Sequence, residues 1–243
     1  MKFDTNPMKF QIDACKSSVL SEGLSFFFPK FTYEVCVSKE QAHRSVTCKV
    51  KRSIDILGAI LGLAIAAVVA VPLIVAMQLD NPGPLLYSHV RCGLKGKHFR
   101  MWKFRSMVVD ADKLKHLVTN EAKGPTFKND NDPRVTRVGR FLRRTSLDEL
   151  PQFWNVLVGD MSLVGTRPPT PDEVAGYNES HWQRLDVKPG LTGEWQVHGR
   201  SGVKDFNDIV QMDLAYQRKW SVVYDITLIC QTIGVVLSKN GAC

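Results

Sequence analysis

From Ile54 to Met77 the chain is almost unbroken Ile, Leu, Val, Ala and Gly, with Asp55 as the only charge. Roughly 20 such residues in a helix cover the hydrocarbon core of a bilayer, so the run reads as a membrane segment. It lies too far into the chain for a signal peptide and is followed by no small-residue cleavage site. Arg44, Lys49, Lys51 and Arg52 precede it, and Arg91, Lys95 and Lys97 follow it. Flanks rich in Lys and Arg stay on the cytoplasmic side, and here both flanks qualify. Pro72 lies inside the run, lacks an N–H and disfavours a straight helix. A segment that enters, breaks at Pro72 and returns to the same face satisfies both observations. A single span, with the later charges belonging to a soluble domain, and a buried helix of a soluble protein are the alternatives.

The rest of the pattern is shorter in period. Residues 1–48 have mixed polarity and a Phe26-Phe27-Phe28-Pro29 cluster but no sustained repeat, which suggests a weakly structured extension. Asp80-Asn81-Pro82-Gly83-Pro84 is a strong break. Leu85 to Val90 and His98 to Met107 are β-rich runs around Gly93-Leu94-Lys95-Gly96, a predicted hairpin. Helical spacing is predicted over 107–119, 137–144, 147–157, 173–185 and 205–219. Tyr224 to Leu237 is apolar but too short to span, and suits a docked or interfacial helix. The expected fold is α+β and mostly helical: a re-entrant membrane helix hairpin, a small β-hairpin and amphipathic interfacial helices around a cytoplasmic active site. The expected divisions are an extension at 1–48, the membrane helix at 49–79 and a catalytic domain at 80–243.

Composition narrows the partners only partly. A length of 243 residues with 44% hydrophobic content allows one ordinary domain with a real core and appendages. The formal net charge of +8 points to nucleic acid, phosphorylated metabolites or acidic headgroups. The six cysteines have no CxxC pair and read as free thiols in a reducing compartment. The six histidines are scattered and suggest no metal cluster.

The candidate chemistry centres on Ser146-Leu147-Asp148-Glu149-Leu150-Pro151. Ser146 and Glu149 have the spacing of a capping box, which predicts a helix start with Asp148 in its first turn. Acids are favoured there for dipole reasons alone, and phosphates are attracted to the same place. Arg134, Arg137, Arg140, Arg143 and Arg144 lead into the pair, and 137, 140 and 144 share one helical face. That stripe is either a solvated surface or a contact for anionic lipid. Nucleic-acid binding would bring interleaved aromatics or a reading motif, and neither is visible, so nucleic acid is not an expected partner. Lys103-Phe104-Arg105 supplies two cations at the end of the hairpin. Thr166-Arg167-Pro168-Pro169 fixes an arginine on a stiff extended segment. Gly199-Arg200-Ser201-Gly202 presents another on a turn. Arginine suits forked contact with phosphate oxygens, and paired carboxylates suit magnesium.

From Lys51 onward the chain resembles the bacterial sugar transferases, the monotopic polyprenyl-phosphate phosphoglycosyl transferases. The resemblance rests on motifs in order: Lys51-Arg52-x-x-Asp55, Pro72-Leu73, Gly83-Pro84, Arg91-x-Gly93-x-x-Gly96, Lys103-Phe104-Arg105-Ser106-Met107 and Ser146 through Gln152. Gly159-Asp160-Met161-Ser162, Arg167-Pro168, Lys188-Pro189-Gly190-Leu191-Thr192-Gly193 and Gly199-Arg200 continue it. The resemblance implies a re-entrant helix broken at Pro72 and an active site on the cytoplasmic face of the bacterial inner membrane. It implies that Asp148 attacks the sugar-linked phosphate of a UDP-sugar, that UMP leaves, and that undecaprenyl phosphate then takes the phosphosugar from Asp148. The product, undecaprenyl-diphosphate-sugar, would begin an exopolysaccharide, capsule or related glycan. Glu149 is implied as metal ligand or acid/base helper, with Mg2+ held by Asp148 and Glu149. Arg167 is implied as the phosphate clamp beside Pro168, and Lys103, Arg105 and Arg200 as further substrate-side residues. Membrane lipids are the other expected partner, and the oligomeric state, a homodimer included, is left open.

Two positions depart from the family pattern. Thr166 stands where many members have proline, which predicts a less rigid entry to Arg167. Val71 stands where some have a serine able to bond backbone groups freed at the membrane proline. Larger members carry four N-terminal spans, so this chain reads as the small form with a short extension. Nothing in the sequence reads the sugar.

Overall fold

The long apolar run forms α2 (Lys49–Asp80), one helix of 32 residues after a short α1 (Arg44–Thr47) in a computed structural model. The structure describes residues 42–119, 129, 131–199, 203 and 205–238. All but the last residues of the predicted extension, and Arg200, lie outside that set. Gln41–Cys243 forms one compact unit.

Why α2 docks where it does can be read from its buried positions: Lys51, Asp55, Ala59, Gly62, Ala66, Leu73 and Met77. These fall three, four or seven apart and so make one stripe. The remaining faces are open, with Val68 78% and Leu79 82% exposed. Polar groups fasten the near end. Lys51 Nζ donates to the Val164 carbonyl at 2.9 Å and pairs with Asp225 at 2.6 Å. Asp55 Oδ1 accepts from Ser162 Oγ and from the Leu163 amide, each at 2.9 Å. At the far end Asp80 Oδ2 accepts from the Val138 amide at 2.9 Å.

Two expectations change here. The basic flank was read as topology, but Lys51 is buried, and Arg52 spends both terminal nitrogens on the Val156 and Leu157 carbonyls, each at 2.7 Å. The second concerns Pro72: the helix continues through the expected break as one element from Lys49 to Asp80.

The hairpin is present as β1 (Leu86–Cys92) and β2 (His98–Phe104), antiparallel, with Leu86 opposite Phe104 and Cys92 opposite His98. Its turn needs Lys95 at φ 52° and Gly96 at φ 77°, the left-handed region in which glycine is unstrained. β2 stops at Phe104 rather than Met107 because Met107 bridges to Val135 instead. In place of the helix expected at 107–119 there is a 3₁₀ segment at Ala111–Leu117.

The later elements are α3 (Arg137–Thr145), α4 (Gln152–Val158), β3 (Ser162–Val164), α5 (Pro171–Ala175) and α6 (Glu179–Trp182). β4 (Gly190–Thr192), α7 (Glu194–His198), α8 (Phe206–Lys219) and α9 (Val222–Ser238) follow. The helix predicted over 173–185 is split, because Asn178 caps a new helix by accepting from the His181 amide. β3 and β4 form a parallel pair that the sequence pattern did not announce. Their junction brings backbones into close approach: a Cβ on Gly190 would lie 2.1 Å from the Gly165 amide nitrogen.

Two apolar clusters hold α2 to the domain. One joins Ala59 to Phe99, Met101, Val156, Met161, Val164, Tyr216 and Leu228. The other joins Leu73 and Met77 to Phe104 and Leu142, with Leu147 and Leu150 packed against them. Gly62 is where α4 comes closest, since a Cβ there would lie 2.4 Å from the Phe153 ring. Gly62→Leu is therefore expected to destabilise the protein by about 1–3 kcal/mol through overpacking, despite leucine's better helix propensity. Thermal unfolding in detergent checks this, and an unchanged or raised midpoint would refute the contact.

Candidate active site

Leu147 and Leu150, on either side of the acidic pair, pack on the cluster of Leu73, Met77, Phe104 and Leu142. Asp148 and Glu149 lie between them on a 3₁₀ turn, Leu147–Glu149, linking α3 to α4. The predicted capping box is absent. Ser146 instead closes α3 in the left-handed conformation at φ 56°, its amide donating to the Leu142 and Arg143 carbonyls. An α-helix starting at Leu147 would drive the Pro151 ring into the Leu147 carbonyl four residues back. The chain makes one tight turn and restarts at Gln152, with Pro151 at the N-cap.

Asp148 is buried, whereas the side chain of Glu149 is 36% exposed. Lys103, at the end of β2, puts Nζ 2.7 Å from Glu149 Oε1 and 4.0 Å from Asp148 Oδ2. Arg143, on the last turn of α3, also acts on Asp148 and is oriented by donating from Nε to Ser106 Oγ at 2.9 Å. Burial pushes the Asp148 carboxyl above its ordinary value; Lys103 and Arg143 oppose this and Glu149 adds to it. The result is a poorly solvated carboxyl acted on by two cations, unlike a surface acid.

A second group forms where β3 runs out through Gly165 and Thr166. Arg167 Nη1 pairs with Glu173 Oε2 at 3.0 Å, and its Cζ lies 5.9 Å from the Trp195 ring centroid. Glu173 is also the reciprocal partner of Thr170 in a true capping box with Pro171 at the helix start. Its carboxyl is raised by burial, but Arg167 and the Thr170 amide outweigh this and hold it below its ordinary value. Thr166, the departure expected to loosen this segment, is buried and donates from Oγ1 to the Arg184 carbonyl at 3.1 Å. A proline has no such donor, so here a hydrogen bond supplies the rigidity.

The hairpin joins the two groups. Tyr87 pairs with Lys103 in the register, so Tyr87, His89, Arg91 and Lys103 share one face. Arg91 Nη1 donates to the Pro168 carbonyl at 3.1 Å, and the Cys92 amide donates to Pro169 at 2.9 Å. Pro168, predicted at the substrate, is buried and fastens the Arg167 segment to β1.

Lys103, Asp148 and Glu149 are thus together, and Arg167 and Pro168 lie on a segment tied to the same hairpin. Arg105 is elsewhere: it is buried, with Nε donating to the Pro84 carbonyl at 2.6 Å and its terminal nitrogens bonded to Asn81. It clasps the turn after α2. Glu173 and Arg143 were not singled out from sequence as acting in the site, although Thr170-Pro171-Asp172-Glu173 carried a legible capping signal. Among the described residues no group of three or more His, Cys, Asp or Glu is placed to hold a metal. Two carboxylates do fit magnesium, which commonly takes one or two from protein and the rest from water and substrate phosphates.

Residues 46–239 match the family model described as bacterial sugar transferase. The galactosyl transferase CpsE of Streptococcus agalactiae serotype III is 51% identical over 194 residues, covering 79% of this chain and 43% of that protein. The undecaprenyl-phosphate galactose phosphotransferase of Salmonella typhimurium is 42% identical over 225 residues, covering 90% and 47%. The exopolysaccharide production protein ExoY of Rhizobium meliloti is 34% identical over 233 residues, covering 93% and 99%. The chain thus spans under half the length of the first two relatives and nearly all of the third.

Proposed function

Because this chain belongs to the bacterial sugar transferase family, we propose that it is a phosphoglycosyl transferase acting on a UDP-sugar and undecaprenyl phosphate. An oxygen of Asp148 attacks the sugar-linked phosphorus of the UDP-sugar. A phosphorus–oxygen bond forms to the enzyme, the bridging bond to the uridine phosphate breaks, and UMP leaves with the bridging oxygen. A phosphate oxygen of undecaprenyl phosphate then attacks the same phosphorus and releases the Asp148 carboxylate. Two displacements replace one difficult transfer. The observation that carries the reading is Asp148 itself: a buried carboxylate 4.0 Å from Lys103 Nζ with a second carboxylate next to it.

Lys103, 4.0 Å from the carboxylate, and Arg143, whose charge acts on it, would stabilise charge on the phosphoryl oxygens as it builds. Arg167, held by the buried Glu173, would orient the diphosphate. Magnesium, when bound at Asp148 and Glu149, would neutralise phosphoryl charge. Arg200 is retained as a further substrate contact on the strength of its motif.

For the membrane, we propose that α2 enters the bilayer and returns without crossing it, leaving the catalytic domain on the cytoplasmic face. What supports this is that Lys51 and Asp80, at opposite ends of the helix, bond the same domain. A helix that spanned would carry one of those ends away from it. Val223 and Ile233 on α9 are 73% and 55% exposed, which suits an interfacial helix. Arg137, Arg140 and Arg144 are exposed beside Phe141 and suit acidic headgroups.

The test is UMP release from a panel of UDP-glucose, UDP-galactose and their N-acetylated forms, with undecaprenyl phosphate as acceptor. Release with at least one donor is expected. No release from any donor, with lipid binding intact, would favour a membrane-bound basic scaffold without chemistry.

A further inference from the structure

Arg91 has a conspicuous loose end. It sits on β1 and its Nη1 donates to the Pro168 carbonyl, yet its Nε is buried and has no hydrogen-bond partner among the described residues. Native proteins pair nearly all such buried polar groups, so an unpaired donor on a charged group calls for a reason. The charge balance points the same way. The charges that act most on Arg91 are Arg167 and then Glu173, so two guanidinium groups act with one carboxylate. Glu173 already spends its hydrogen bonds on Arg167 and on the Thr170 amide. Positive charge is left over, next to a donor with nothing to bind.

We propose that Arg91 is a second guanidinium of the phosphate site, acting with Arg167 on the phosphoryl oxygens of a substrate. The ligand chemistry is a phosphate dianion or a diphosphate, and this rests on the transferase reading given above. Two sources offer it, the diphosphate of the nucleotide sugar and the phosphate of the polyprenyl lipid. The bond from Nη1 to Pro168 matters, because it fixes Arg91 to the residue that follows Arg167. The position matters too: Arg91 shares the hairpin face with Lys103 and also feels the charge of Glu149. Burial first, and Arg167 second, bring the Arg91 guanidinium down to about 10, so it stays protonated at neutral pH while gaining from any anion that enters.

The experiment uses the full chain in detergent and inorganic pyrophosphate as the probe, read by calorimetry. Arg91→Lys keeps the charge but lacks Nε and the planar fork, and is expected to weaken pyrophosphate binding roughly ten- to hundredfold, the range for one hydrogen bond between charged groups. The same variant should raise KM for the UDP-sugar if the donor diphosphate is the ligand. It should raise KM for undecaprenyl phosphate if the lipid phosphate is. A variant with wild-type melting and wild-type pyrophosphate affinity would overturn the assignment. Should the variant not fold, wild-type protein labelled at arginine Nε gives the answer by NMR: a buried Nε–H resonance should shift on pyrophosphate addition, and no shift would refute the site. Loss of pyrophosphate binding in Arg91→Lys, with no turnover of any UDP-sugar by the wild type, would keep the phosphate site and sink the transferase reading alone.

Discussion

Asp148→Asn is expected to abolish sugar-phosphate transfer, by roughly 10³-fold or more, because a removed nucleophile leaves only binding and electrostatic effects behind. The same variant is expected to melt higher than the wild type at neutral pH. Burial lifts the folded-state pKa of Asp148 above its unfolded value, so folding favours the protonated acid. Stability from this group is full below the unfolded pKa and is lost as pH rises towards the folded one. At neutral pH the charge is a net cost, and asparagine removes it while keeping the shape. Activity should move oppositely: kcat/KM should fall on acidification at a higher pH than for an ordinary carboxylate, since the nucleophile must be ionised. Mass spectrometry of the enzyme incubated with UDP-sugar should show a phosphosugar adduct on the wild type and none on the variant. Near-normal turnover in Asp148→Asn would end the covalent assignment.

Lys51→Ala should have the largest effect on stability. The Lys51–Asp225 pair is almost completely buried, with side-chain exposures of 6% and 4%. Asp225 also accepts from Tyr216 Oη at 2.8 Å and from Trp220 Nε1 at 3.1 Å. Removing the lysine strands a carboxylate among groups built around its charge, a loss of about 3–5 kcal/mol. For a chain of this size that is roughly 6–20 °C in melting temperature. Replacing both partners, as Lys51→Met with Asp225→Leu, should recover much of the loss, because the pair's net worth is far smaller than the penalty for breaking it. A midpoint within a degree or two of wild type for Lys51→Ala would mean that water reaches the pair.

The long periods were legible in the sequence, and the short contacts were not. α2, the hairpin, α3, α8 and α9 each repeat a hydrophobic spacing often enough to be read. β3 and β4 are three residues each and carry no period at all. Two Ser/Thr-x-x-Glu signals stand in the chain, at Ser146 and Thr170, and only the second is a capping box. The difference lies in the prolines. Pro171 occupies the first helical position after Thr170, where its missing N–H costs nothing. Pro151 falls a full turn after Leu147, where its ring meets a carbonyl. Basic residues were the other weak point, since sequence gives a charge but not its partner. Arg52 and Arg105 turn to backbone carbonyls of helix ends and turns, while Lys103 alone of its motif reaches the acids. Glu173 was hidden for the same reason, because its value lies in holding Arg167 and not in its own chemistry.

Leu147 and Leu150 bracket the acidic turn, and both pack on the cluster that Leu73 and Met77 of α2 form with Phe104 and Leu142. The apolar helix is therefore part of the packing beneath Asp148. A solubilised version made by trimming α2 away would leave that packing incomplete. Anything that tilts or slides that helix, bilayer thickness included, acts on the position of the Asp148 carboxyl through that shared cluster.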